Sequence, residues 1–509
     1  MTRDIKPGLL VLQGNRLELL SEAVFDWLGR APLGPLEEEV FLVQSNGAAE
    51  WLKTSFAQRA GVCAATRVEL PARFLWRAYR QMLGRAAVPQ RSALDKDTLI
   101  WRLMRGLPNW VAQPGFEPVA AFLRGGAAGA GEAAGAAAGA GQAAGGVAGS
   151  AADRCLQLAR RLADLLDQYQ VYRADWLAAW GRGDDALIGA TGQAQPLAAD
   201  QRWQALLWRA LLADLGPAER AAIRPQVHAD FLAALARGQA PVAALPRRVV
   251  LFGAAHLSGQ ALVALAALAT HTQVLLAVPN PCRYHWADIL EGRELLRAAR
   301  PRNALRGQRD LAQVPLAAMH GHAHPLLAAW GRQGRDFMRQ LDGFDEAQHG
   351  RPDGLAIDLP RIDLFDDSPG PTMLTQLQTD IRDLLPLAEL PARLADADDR
   401  SIVFHIAHSA QREVEILHDQ LLHLLAPRGT DDIARLAPHG TDDIARLAPH
   451  GTDDIAPLAP RDVVVMVPDI ERFAPAIRAV FGQHGADDAR QIPFEITDLP
   501  RLHAPAGWV

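Results

Sequence analysis

Apolar positions along the chain follow two periods. Short contiguous runs at Leu9–Leu12, Val40–Val43, RRVVLFG (247–253) and TQVLLAVP (272–279) have the length and branched content of strands buried on both faces. Between such runs the spacing changes to three and four. Leu17, Leu20, Val24 and Trp27 predict a helix directly after the first run, and a helical pattern joins the last two runs as a βαβ unit. Residues 1–60 therefore read as strand, helix, strand, helix, the first part of an α/β domain. Residues 61–245 are mostly helical in pattern, an insertion, and residues 246–341 return to the α/β domain. Residues 342–400 are acidic and proline-bearing, a linker with one helix near 373–385. SIVFHIAHSAQREVEILHDQLLHLL (401–425) opens a second α/β unit, and RDVVVMVPDI (461–470) predicts its next buried strand. That second sheet is unfinished within 401–509, so the chain reads as a fragment.

Two segments break these patterns. The Gly/Ala tract at 124–152 has no side chains able to build a core and reads as a flexible insertion. GTDDIARLAPH (429–439) recurs at 440–450, with a third copy running to residue 460. Eleven residues with a proline in each copy are too short to stack as a solenoid, which leaves a duplicated surface loop.

Composition narrows the function classes. No apolar run approaches the roughly 20 residues of a membrane helix, and the N-terminus is too weakly apolar for a secretory signal. Cys63, Cys155 and Cys282 form no CxxC pair, so neither a zinc site nor a disulfide framework is expected, and a reducing, cytoplasmic setting is. A net charge of −6 argues against coating nucleic acid by bulk electrostatics. A local basic stretch remains at 283–309, from Arg283 to Arg309, which reads as a solvated surface or the lining of a channel. Only three lysines (Lys6, Lys53, Lys96) stand among 52 basic residues, so lysine chemistry has few places to sit.

Motif tests come out negative. The loop after the first strand is Gln13-Gly14-Asn15-Arg16, with one glycine, no lysine and no hydroxyl for magnesium where a phosphate loop would need them. Lys53-Thr54 lies in the body of the next predicted helix, away from any helix N-terminus. VVLFGAAHLSG carries Ala254-Ala255 where paired carboxylates would hold magnesium. Asp4-Ile5-Lys6 has no upstream acid to complete a nuclease site. His320, His322 and His324 alternate but have no neighbouring carboxylate and precede Pro325, which predicts a loop rather than a metal centre. Neither GxSxG nor HExxH is present. As a stand-alone enzyme the chain is expected to be inert.

What remains is rich in amides, carboxylates, arginine and aromatics, the groups that read base edges and stack on unpaired bases. FLVQSNGAAEWL (41–52) puts Gln44, Ser45 and Asn46 at a strand's C-terminal end, where α/β folds bind ligands. ELPARFLWRAYR (69–80) interleaves Phe74, Trp76 and Tyr79 with Arg73, Arg77 and Arg80. In ARRLADLLDQYQVYRADW (159–176) the spacing gives a helix with Leu158, Leu162, Leu165, Leu166 and Tyr169 on one side. Arg160, Asp164, Asp167 and Gln168 lie on the other.

Together with NPCRYHWADI, HPLLAAWGRQGRDF and HSAQREVEILHDQLL, these stretches resemble, in order, the RecC family, the gamma subunits of exodeoxyribonuclease V (RecBCD). The resemblance runs from about residue 9 to 495, outside the Gly/Ala tract and the repeat, and covers the N-terminal half of the family's length. It implies an α/β, superfamily 1 helicase-like (RecA-like) fold with degenerate ATP motifs, a large helical insertion and a truncated second RecA-like domain. It also implies a non-catalytic, DNA-binding role in double-strand break repair. The partners would be RecB and RecD, duplex ends and single-stranded DNA, with ATP and magnesium handled by the partner subunits and no cofactor or metal in this chain. The positions matching the family's Chi-reading tunnel are Gln44, Asn46, Glu50, Leu70, Trp76, Asp164, Leu165, Asp167, Gln168, Arg173 and Arg224. Two depart from its pattern. Asn46 stands for a threonine, and Glu50 for a glutamine, a change from a group that donates and accepts to one that only accepts. The competing reading is a degenerate but working helicase-type ATPase, which the missing motifs disfavour.

Overall fold

The computed structural model describes residues 5–124, 151–189, 193–287, 324–349, 360–385 except 369, 389–390, 396–426 and 458–497 except 486. The Gly/Ala tract, the basic stretch beyond residue 287, His320 and His322, nearly all of the 11-residue repeat and the last twelve residues lie outside these.

The elements follow in chain order: β1 (Gly8–Gly14), α1 (Leu17–Arg30), β2 (Glu39–Leu42), α2 (Asn46–Ala60), β3 (Thr66–Glu69) and α3 (Pro71–Leu83). The helical part comprises α4 (Lys96–Trp110), α5 (Glu117–Arg124), α6 (Ala151–Tyr172), α7 (Ala174–Arg182), the hairpin β4 (Ala186–Ile188) and β5 (Ala194–Pro196), α8 (Arg202–Asp214), α9 (Pro217–Ala221) and α10 (Arg224–Ala236). Then come β6 (Arg248–Phe252), α11 (Gly259–Leu268), β7 (Gln273–Pro279), α12 (Pro325–Trp330), α13 (Arg332–His349), β8 (Arg361–Asp363) and α14 (Met373–Arg382). The C-terminal part holds α15 (Ala410–Leu425) and α16 (Ile470–Phe481).

Six strands form one sheet in the order β3-β2-β6-β7-β1-β8, every pair parallel. Strand side chains alternate between faces, and the chain exploits both. Leu9, Val11, Val40, Leu42, Val249, Leu251, Val274 and Leu276 pack with Phe74 and Met82 of α3, Phe231 of α10 and Leu265 of α11. Their neighbours Leu12, Phe41, Val250, Phe252 and Leu275 pack on the opposite face with Leu20, Val24 and Leu28 of α1 and Leu52 of α2. Burial on both faces is why these strands read as unbroken apolar runs. A separate helical core is built by α4 to α8 around Trp180 and Trp208, both fully buried.

The sheet draws strands from two segments where the sequence predicts none. Thr66-Arg67-Val68-Glu69 offers only one apolar residue, yet it pairs beside β2, with Glu69 buried and salt-bridged to Arg77. Arg361–Asp363, inside the expected acidic linker, becomes the edge strand next to β1. The expected helix there is observed at Met373–Arg382.

The two strands expected in the C-terminal part are absent. Residues 403–407 and 463–467 carry no strand pairing, and Phe404, Ile406 and Met466 are 88%, 96% and 89% exposed. Apolar, branched sequence favours extended backbone, but a strand also needs a partner ladder. The described C-terminal core rests instead on α15 and α16, through Val414, Leu421, Val480 and Phe481.

Candidate functional site

The C-terminal ends of β3, β2 and β6, three neighbours in the sheet, all open into one cavity of about 500 Å³. Ligands in open α/β sheets bind at such strand ends. Each wall has a local cause. Gln44 sits between the end of β2 and Ser45, whose hydroxyl accepts from the Ala48 N–H (3.1 Å) and starts α2. Its amide donates to the His256 carbonyl beyond β6. Leu70 is the exposed N-cap of α3, followed by Pro71, whose fixed φ suits a first helical position. One turn on, the half-buried Trp76 donates from Nε1 to the Pro89 carbonyl (3.0 Å), which fixes the indole in the cavity wall. The helical part supplies the far wall: Asp95 before α4, Gln170 and Tyr172 at the end of α6, and Arg224 and His228 on α10.

Arg224 joins three of these elements. Its guanidinium donates to Asp167 Oδ1 (3.0 Å) on α6 and to Asp95 Oδ1 (2.8 Å). All three side chains are about one-third exposed. Gln170 is buried, donating from Nε2 to the Leu94 carbonyl (3.1 Å), while its Oε1 has no partner among the described residues. A buried unpaired acceptor is uncommon.

Of the eleven sequence-derived residues, then, Gln44, Leu70, Trp76 and Arg224 line the cavity, and Asp167 is tied to it through Arg224. Six do not line it. Asn46 and Glu50 lie one turn apart on α2 and are exposed, with Glu50 accepting from Lys53 (2.8 Å). Asp164 pairs with Lys96, Leu165 is half-buried and Gln168 is exposed. Arg173 is held elsewhere. It grips Asp175 (3.1 and 2.8 Å) and the Ile188 carbonyl, and its guanidinium lies 3.8 Å from the Trp176 ring centre.

The loop where a phosphate would sit is filled by the chain itself. Asn15 accepts from the Asp366 N–H (2.8 Å) and donates to its carbonyl (3.2 Å), and Arg16 salt-bridges the Asp366 carboxylate (2.5 Å). Hydrogen bonds from Ser368, with Arg16 alongside, hold the Asp366 carboxyl at a pKa of about 2. A Cβ at Gly14 would run into the Leu364 carbonyl, so the glycine serves close packing here. His324, the described member of the histidine series, is buried and caps α12, its Nδ1 accepting from the Leu326 N–H (3.3 Å). Among the described residues no group of three or more His, Cys, Asp or Glu could hold a metal, and no helix is long and apolar enough to cross a membrane.

A second cavity, about 580 Å³, lies at the opposite end of the strands, before β2 and β3, and contains none of the sequence-derived residues. Beside it Arg248, fully buried, donates to Glu39 (2.8 Å), Gln273 (2.9 Å) and the Ala31 carbonyl (2.6 Å). Burial, partly offset by Arg248, raises the Glu39 pKa to about 6.

The family model described as "RecC, N-terminal domain" matches residues 9–384. The chain belongs to the RecC family. RecBCD enzyme subunit RecC of Haemophilus influenzae is 31% identical over 96% of this chain and 40% of the relative. The Escherichia coli subunit of the same name is 32% identical over 96% and 39%. That of Mycolicibacterium smegmatis is 27% identical over 92% and 34%. The chain thus spans about two-fifths of the length of the first two of these relatives and about a third of the other. The matched RecC stretch contains the cavity and all eleven residues.

Sequence reasoning missed Asp95, Gln170, His228 and His256 in this RecC-family cavity. Only His228 left a signal. It stands four residues after Arg224, the spacing that puts two side chains on one face of a helix.

Proposed function

We propose that this RecC-family chain is the strand-holding, sequence-reading part of a RecBCD-type helicase–nuclease in double-strand break repair. It binds DNA, channels unwound single strands and recognises Chi, assembled with RecB and RecD, which carry out ATP hydrolysis. Its doubly covered parallel sheet is the inactive first RecA-like domain of a superfamily 1 helicase-like scaffold, with a helical insertion in 61–245 and the start of a second such domain after residue 400.

One observation carries the reading. Gln44, Trp76 and Arg224, drawn from the sheet and from the helical insertion, meet in a cavity at the strand ends. An indole to stack on a base, an amide for base edges and a guanidinium are the equipment for unpaired nucleic acid. The non-catalytic part of the proposal is supported by the Asp366 carboxylate lying against the vestigial loop, where it repels phosphate.

The test is fluorescence anisotropy with labelled 12-nucleotide single strands, one base-bearing set and one fully abasic. Base-bearing strands should bind more tightly, and Trp76→Ala should remove about five- to hundredfold of that affinity, the worth of one stacked base. Equal binding of base-bearing and abasic strands by the wild-type chain would refute the proposal.

A further inference from the structure

We infer that His228 is a further base-reading residue of this cavity, presenting a fixed Nε2–H donor to a carbonyl oxygen or unprotonated ring nitrogen of an unpaired base. The inference rests on the proposed single-strand site and extends it to a residue outside the eleven.

Three observations carry it. His228 lies one helical turn beyond Arg224 on α10, and both line the cavity. Its Nδ1 is 2.8 Å from the hydroxyl of Tyr79, a buried cavity-lining side chain whose ring packs on Phe231 with ring centres 4.7 Å apart. Among the described residues that hydroxyl has no other hydrogen-bond partner, and a phenol O–H is the stronger donor while a neutral imidazole nitrogen is the stronger acceptor, so the pair is assigned with Tyr79 donating and Nδ1 accepting. Burial lowers the His228 pKa and raises that of Tyr79, so the ring is neutral and the phenol keeps its proton at pH 7. A neutral imidazole accepting at Nδ1 must carry its hydrogen on Nε2. Among the described residues no hydrogen bond engages Nε2, and it is not among the buried atoms left without a partner, so on a cavity-lining side chain it keeps surface open to a ligand. A donor whose tautomer is fixed by a buried neighbour distinguishes acceptors from donors on a base edge, which a freely switching imidazole does not.

The experiment uses the full chain and the same labelled 12-mers. His228→Ala should weaken base-bearing strands about fivefold and leave the abasic strand unchanged, and His228→Gln, which retains an N–H donor, should recover part of the loss. Tyr79→Phe preserves the buried ring while releasing the tautomer, so it should lose about twofold on base-bearing strands alone, and it keeps the test open should His228→Ala fail to fold. Equal weakening of abasic and base-bearing strands would assign His228 a structural role and overturn the inference. So would an unaffected His228→Ala or Tyr79→Phe protein in which Trp76→Ala still abolishes the preference for bases. Loss of that preference in the wild-type chain would instead remove the site itself.

Discussion

Asp167→Ala separates the two tasks that Arg224 can perform. In the folded chain Arg224 is shared between Asp167 at 3.0 Å and Asp95 at 2.8 Å, each side chain about one-third exposed. Screening at that exposure limits the Asp167 contact to about 0.5–1 kcal/mol of stability, and Asp95 still holds the guanidinium, so the variant should fold. Binding should move the opposite way from a simple loss of contact. Removing one carboxylate frees an Nη1 edge toward the cavity, and a freed edge seeks phosphate. One added charge-assisted contact worth about 1 kcal/mol tightens single strands about fivefold at low salt. It should also steepen the dependence of log affinity on log salt by about 0.7. Because phosphate contacts carry no sequence information, abasic strands gain as much, and discrimination between sequences falls. Salt titrations followed by anisotropy measure both quantities. Weaker binding by Asp167→Ala with an unchanged salt slope would show that Asp167 does not mask Arg224, and the argument from their pairing would fail.

Two further outcomes are expected. Equilibrium dialysis should detect no magnesium-dependent ATP binding at micromolar nucleotide, because Asp366 is ionised against the loop and no lysine stands there; micromolar binding would overturn this. Glu39 should make stability depend on pH. Its folded pKa of about 6 exceeds the 4.5 of an ordinary glutamate, so the folded state binds the proton more tightly, and a contribution of about 2 kcal/mol present at acid pH is lost as pH rises from 4.5 to 6. Glu39→Gln should lack that slope in urea midpoints measured across pH 4–7, and parallel curves for the two proteins would exclude the buried carboxylate as its source.

The central sheet was legible because β1, β2, β6 and β7 are buried on both faces and therefore write unbroken apolar runs. β3 and β8 were not, since a four-residue strand with one apolar side chain and a three-residue edge strand are recruited by their neighbours' free backbone groups rather than by their own pattern. The reverse error arose at 403–407 and 463–467, where strand-like residues have no ladder to join. At the site, Gln44 could be found from its place after a strand, and Trp76 from aromatic-basic interleaving. Asp95 and Gln170 could not, because what gives them meaning is the approach of α4, α6 and α10, which no local spacing encodes. Arg173 carried the right chemistry in the sequence, but Asp175, Ile188 and Trp176 engage it away from the cavity.

The strand order has a consequence for how the chain is made. β1 leaves the ribosome first, but its two sheet neighbours are β7 and β8, and Gly8 pairs with Gln273. At about 5–20 residues per second, an apolar strand waits roughly 15–50 s for its first partner. Meanwhile β2 and β3 can pair almost at once, and the Trp180–Trp208 helical core is complete before β6 appears. Synthesis thus passes through a stage with a finished helical module and an orphaned first strand. That is the interval in which a holding chaperone would matter most and in which a slowed ribosome would favour aggregation.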